Sequence, residues 1–186
     1  MRILHRLKFI LLPLAIPLVV LAASQQPQEG LQSNERSSPL VDKVHKATEQ
    51  YRNINVALAE GFVQATPCVS GPDFGAMGVH FVLGSRIAAG TLSADQPEAL
   101  IYEPLPRGEF RLVGVEFIVL AQTWATQHPN GGPPALEGQL LNYIDAPNRF
   151  GLPAFYELHV WAWEHNPVGS FADWNTHVTC TQQPTS

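Results

Sequence analysis

Hydrophobic and polar residues alternate in two different registers along this chain. From Leu40 to Ala59, the residues Val41, Val44, Ala47, Tyr51, Ile54 and Leu58 recur at the three- and four-residue spacing of one helix face. Lys43, Lys46, Glu49 and Arg52 fill the opposite face. Ser37 or Ser38 ahead of Pro39 can start this helix, and Gly61 can stop it. Beyond it, short β-branched and aromatic runs are separated by Pro and Gly. They predict strands at about 77–83, 99–103, 110–120 and 154–164, with Arg107-Gly108 as the turn of a hairpin between the second and third. Gln127–Pro134 and Asp145–Pro153 read as Pro/Gly-rich loops, where a compact sheet commonly carries specificity. The expected fold is α+β: an N-terminal helix packed on a mainly antiparallel sheet or small β-barrel.

The start of the chain has a different texture. Arg2, Arg6 and Lys8 precede an apolar run from Phe9 to Ala23, and Ala22, Ala23 and Ser24 supply small residues for cleavage. This is the pattern of a secretory signal peptide over residues 1–24. The run is short for a membrane span, which takes about 20 apolar residues, so no stable membrane anchor is expected after cleavage. Residues 25–39, rich in Gln, Ser and Glu, read as a disordered spacer. Residues 40–186 are enough for one globular domain. The expected location is periplasmic or secreted.

Charge narrows the class of partner. The leader holds three of the eleven Lys and Arg residues and none of the sixteen acids, which leaves eight basic residues against sixteen acidic ones. An acidic chain without a basic stripe argues against nucleic acid and points to a small-molecule ligand. Cys68 and Cys180 are the two cysteines. In an oxidising compartment such a pair forms a disulfide. Closing the long loop between Cys68 and Cys180 is worth about 4–5 kcal/mol in the chain-entropy account. A metal-ligand pair and a reactive thiol are the rival readings.

Candidate chemistry lies in the strands. Glu116 sits in Phe110-Arg-Leu-Val-Gly-Val-Glu-Phe-Ile-Val-Leu120, apolar on nearly every position of both parities and therefore covered on both faces. A buried carboxylate has to be protonated, paired or bound to a cation. His80, in Met77-Gly-Val-His-Phe-Val-Leu83, carries the same argument, with Gly78 expected to leave room beside the imidazole. His159 shares a strand face with Glu157, Trp161 and Trp163, and the two tryptophans are candidate pocket walls. Two histidines and a carboxylate can hold a divalent Zn, Mn, Cu or Fe ion. The bland alternative is a buried Glu–His network that only holds the sheet. Glu103, at the end of its strand before Pro104, is a candidate acid/base group or a solvated strand terminus. Asp173, Trp174 and Asn175 place polar groups beside an indole, as sugar-binding surfaces do.

The chain has no local metal motif, no Gly-x-Ser-x-Gly elbow, no P-loop and no dinucleotide fingerprint. The blocks Gly75-Ala-Met-Gly-Val-His-Phe81, Pro97-Glu-Ala-Leu-Ile-Tyr-Glu-Pro104, Leu112-Val-Gly-Val-Glu-Phe117 and Leu158-His-Val-Trp-Ala-Trp-Glu-His-Asn-Pro167 resemble a family of exported bacterial proteins of uncharacterised function. The resemblance spans about residues 45–180 and implies no particular activity. The cupin pattern of a clustered His-x-His with a following Glu is missing. Two classes of function remain. One is an exported metal- or small-ligand-binding protein with a His80/Glu116/His159 pocket, open to being a metal-dependent enzyme. The other is a non-catalytic envelope module that binds a glycan or protein.

Overall fold

The long strand around Glu116 is the axis of the molecule, and both of its faces are covered. The structure is a computed structural model and describes residues 38–183. The expected signal peptide, and the expected spacer apart from its last two residues, lie outside the described residues. The first elements are α1 (Pro39–Thr48), a 3₁₀ turn (Glu49–Arg52) and α2 (Ile54–Glu60). The strands are β1 (Val63–Gln64), β2 (Val69–Gly71), β3 (Gly75–Val82), β4 (Ala99–Pro104) and β5 (Phe110–Leu120). Helix α3 (Gly84–Ala89) links β3 to β4, and α4 (Ala121–Gln127) follows β5. A small hairpin, β6 (Ala135–Leu136) with β7 (Gln139–Leu140), precedes β8 (Asn142–Ile144) and β9 (Phe155–Val160).

The main sheet runs β1-β3-β4-β5-β9-β8, with β2 also pairing to β3, and every pairing is antiparallel. Its two ends do not pair with each other, so the sheet is open and the expectation of a small barrel is corrected. The β4–β5 hairpin turns through Arg107-Gly108, both with positive φ. The helix expected over 40–59 is broken in two at Asn53, whose side chain accepts the N–H of Asn55 and caps α2. Gly78 has φ +94°, and a Cβ there would stand 2.7 Å from the carbonyl oxygen of Tyr102. Its smallness serves the close approach of β4, not space beside His80.

The two faces of the sheet differ in content. Val79, Phe81, Leu100, Tyr102, Val115, Phe117, Val119, Leu158 and Val160 belong to one large apolar cluster that also takes Leu40, Val44 and Tyr51 from the N-terminal segment. The other face is covered by loop 145–153 and the C-terminal segment, and its apolar content is divided. Ile101, Val113, Trp161 and Val178 form one small cluster, and Ala99, Ile118 and Phe155 form another. Buried polar groups on the same face fill the gap between them.

Candidate metal centre

His80 comes from β3, Glu116 from β5 and His159 from β9. Glu116 and His159 are direct cross-strand partners. His80 stands two strands away from Glu116, about 10 Å at the usual strand spacing. Its ring reaches over β4 at Ala99, which pairs with Val82 on one side and Glu116 on the other and is fully buried. A larger residue at 99 would stand between the two ligand strands.

His80 Nε2 lies 3.5 Å from His159 Nε2 and 3.5 Å from Glu116 Oε2. One donor atom from each of the three residues falls within 4.8 Å of the others. The side chains are nearly sealed, with relative exposures of 4% for His80, 6% for Glu116 and 1% for His159. A well-formed hydrogen bond between such groups is about 2.9 Å long. Two ligands on a tetrahedral ion with bonds near 2.1 Å stand about 3.4 Å apart. The observed separations match the second length.

The far sides of the two rings are differently supported. Thr66 Oγ1 accepts the backbone N–H of His80 at 3.1 Å and lies 3.3 Å from His80 Nδ1. That contact turns Nε2 toward the other two side chains. His159 Nδ1 is buried without a hydrogen-bond partner among the described residues. The nearest carboxylate oxygens are Asp173 Oδ1 at 3.8 Å and Glu157 Oε2 at 4.0 Å. Trp161 stacks on His159 with ring centroids 6.2 Å apart and donates its indole N–H to the carbonyl of Ala172 at 2.6 Å.

Burial sets the protonation states. Desolvation, helped by Arg149, lowers the His80 pKa to about 4. Desolvation, with His80 and Arg149 adding to it, lowers that of His159 to about 3. Both imidazoles are neutral at pH 7, the form that ligates metals. Desolvation drives Glu116 well above the usual carboxyl range, and a hydrogen bond with Glu157 adds to the rise. Burial raises Glu157 too, while the same hydrogen bond pulls it back, so the pair holds on to a proton in this dry site. A cation at the site would displace that proton.

A cavity of about 250 Å³ opens onto this cluster. His80 and Glu116 lie in its wall beside Ile118, Phe150, Leu152 and Phe155, with Arg149 as its one cationic side chain. The guanidinium lies 5.1 Å from the ring centre of Phe150 and 5.5 Å from that of Trp174. Glu157 and Asp173 do not line the cavity; they sit behind His159.

Other expected residues lie elsewhere. Trp163 follows the end of β9 and leaves the site face. Its N–H donates to Thr48 Oγ1 at 2.9 Å, and its ring stacks on His45. Neither expected tryptophan lines this pocket: Trp161 backs the His159 ring, and Trp163 packs against α1. Glu103 is buried but occupied: Oε2 accepts Arg111 Nη2 at 2.6 Å, and Oε1 accepts the backbone N–H of Thr179 at 2.9 Å. It pairs with Arg111 across the hairpin, while Glu116 pairs with Ala99 at the other end of β4, so Glu103 is a tie for the C-terminal segment and not an acid/base group. Cys68 and Cys180 form the expected disulfide. Sequence reasoning passed over Thr66, Arg149 and the support role of Glu157 and Asp173. Only Glu157, at i−2 from His159 on the same strand face, carried a usable signal.

No protein-family model, curated protein or solved structure matches the chain in comparisons with known proteins.

Proposed function

We propose that this protein is an exported divalent-metal-binding protein whose ion is held by His80 Nε2, Glu116 and His159 Nε2 and faces a small, mainly apolar pocket. The pair of 3.5 Å separations among sealed, neutral donors carries this reading. Two imidazoles and one carboxylate leave at least one coordination position free. In a tetrahedral arrangement that donor set suits Zn, and in a facial arrangement with more open positions it suits Fe(II). Open positions are where metal centres polarise substrate or water, so a metal-dependent enzyme is the form of this function that the pocket favours. Export is supported by the leader pattern together with the disulfide, and no helix among the described residues is long and apolar enough to cross a membrane.

The burial of Glu98, Glu116 and Glu157 together with two histidines favours a second reading, in which the buried polar groups are a structural network. Metal analysis separates the two. The expected result is near-stoichiometric Zn, Mn, Cu or Fe in protein purified without chelator or affinity histidines, and its loss in Glu116→Gln with the fold retained. An absence of metal after reloading with each of the four ions would leave the structural network and a non-catalytic module.

A further inference from the structure

Resting on the metal reading above, we propose that the pocket takes a compact organic monoanion: a small carboxylate with an apolar body, bound between the metal and Arg149. The cavity holds about 250 Å³, slightly below the lower end of the usual range for small-molecule sites, about 300 Å³. That volume admits a branched short-chain or single-ring acid and excludes a nucleotide or an oligosaccharide. Ile118, Phe150, Leu152 and Phe155 offer the body a hydrocarbon surface.

The sign of the pocket follows from which charged groups line it. They are His80, Glu116 and Arg149. With a divalent ion on neutral imidazoles and one carboxylate, the floor carries one net positive charge, and Arg149 adds a second at the wall. None of the other nearby acids lines the cavity: Glu157 lies against Glu116 and His159, Asp173 stands at the far edge of the His159 ring, and Glu98 accepts the backbone N–H of Ile118 at 3.0 Å. Arg149 forms no ion pair among the described residues, despite these nearby acids. It is held instead over Phe150 and Trp174, with Nη2 3.5 Å from Met77 Sδ. An arginine fixed by aromatic faces and lacking a carboxylate partner keeps its planar donor fork free for a carboxylate from outside.

The experiment is calorimetric titration of the zinc-loaded protein with 3-methylbutanoate and benzoate, and with their uncharged amides, after zinc stoichiometry has been measured. The acids should bind at least about tenfold more tightly than the amides, the scale of one charge-assisted contact. Arg149→Gln should cut that preference severalfold, leaving the part the metal itself supplies, with zinc still bound at the same stoichiometry. Bound zinc with acids no tighter than amides would overturn this proposal and leave the metal reading standing. So would a preference that Arg149→Gln leaves undiminished. Failure to bind zinc, or any of the other three ions, would overturn both.

Discussion

One sheet carries two unlike faces: one packs a continuous apolar core, and the other buries a group of ionisable side chains. On the helix side, Phe117, Val115 and Val119 from β5 join a single continuous apolar cluster. On the other side, one residue along in each strand, the apolar packing is split in two and ionisable groups fill the gap. Phe117 and Glu116 are chain neighbours with almost the same burial, yet one is a packing residue and the other a candidate ligand. A continuous apolar face gains stability from every contact. A face that buries a carboxyl and two imidazoles loses part of that gain to desolvation, and a bound cation would recover some of it.

Substitutions on the two faces should therefore fail differently. Phe117→Ala should have the largest effect on stability, about 3–5 kcal/mol in chemical denaturation, whether or not metal is present. A loss below about 1 kcal/mol would mean the helix-side cluster is not the main core. Glu116→Gln should instead remove metal and leave the metal-free protein close to wild-type stability, since the carboxyl it replaces is already neutral there.

The pH response of the metal-free protein gives a second contrast. His80 has a folded pKa of about 4 against an ordinary value of 6.5, so the unfolded chain takes up a proton that the folded chain refuses. Stability from this group is complete above pH 6.5 and is lost as pH falls toward 4. Relative to His80→Gln, the metal-free wild type should lose on the order of 3 kcal/mol across that window. Parallel stability curves for the two proteins would contradict the buried, neutral imidazole.

The smallest expected effect concerns Asp173. With the ion on Nε2, the His159 ring carries its proton on Nδ1, and Asp173 is its nearest carboxylate. Asp173→Asn should weaken metal binding about 10–100-fold with little change in the melting of the metal-free protein, and Asp173→Glu should restore part of the loss. Equal metal affinity in all three would assign the Nδ1 proton to Glu157.

Much of this was readable from the chain, for identifiable reasons. Glu116 stood out because every neighbour in β5 is apolar, so its burial did not depend on knowing the partner strands. His80 and His159 were visible as polar residues inside short strands. The face of each was fixed only by register, and β4 lies between two of the three ligands. Ala99 left no trace because an alanine in a strand has many explanations. Trp163 was placed wrongly because strict alternation was carried past Val160, where β9 ends and the chain turns toward α1. Glu103 was misjudged because Arg111, its partner, is eight residues along and across a hairpin. Arg149 sits in a loop whose position no periodicity reports.

The three candidate ligands are separated along the chain by whole strands, Arg149 comes just before the last of them, and Asp173, Trp174 and finally Cys180, which is tied back to Cys68, come after it. No fragment that emerges early contains the centre. A growing or threading chain therefore could not select an ion on the way, and any choice would fall at the place and time folding finishes. For a chain exported unfolded, that is the destination compartment, so the ion it carries would report the metal supply outside the cytoplasm and not the supply where it was made.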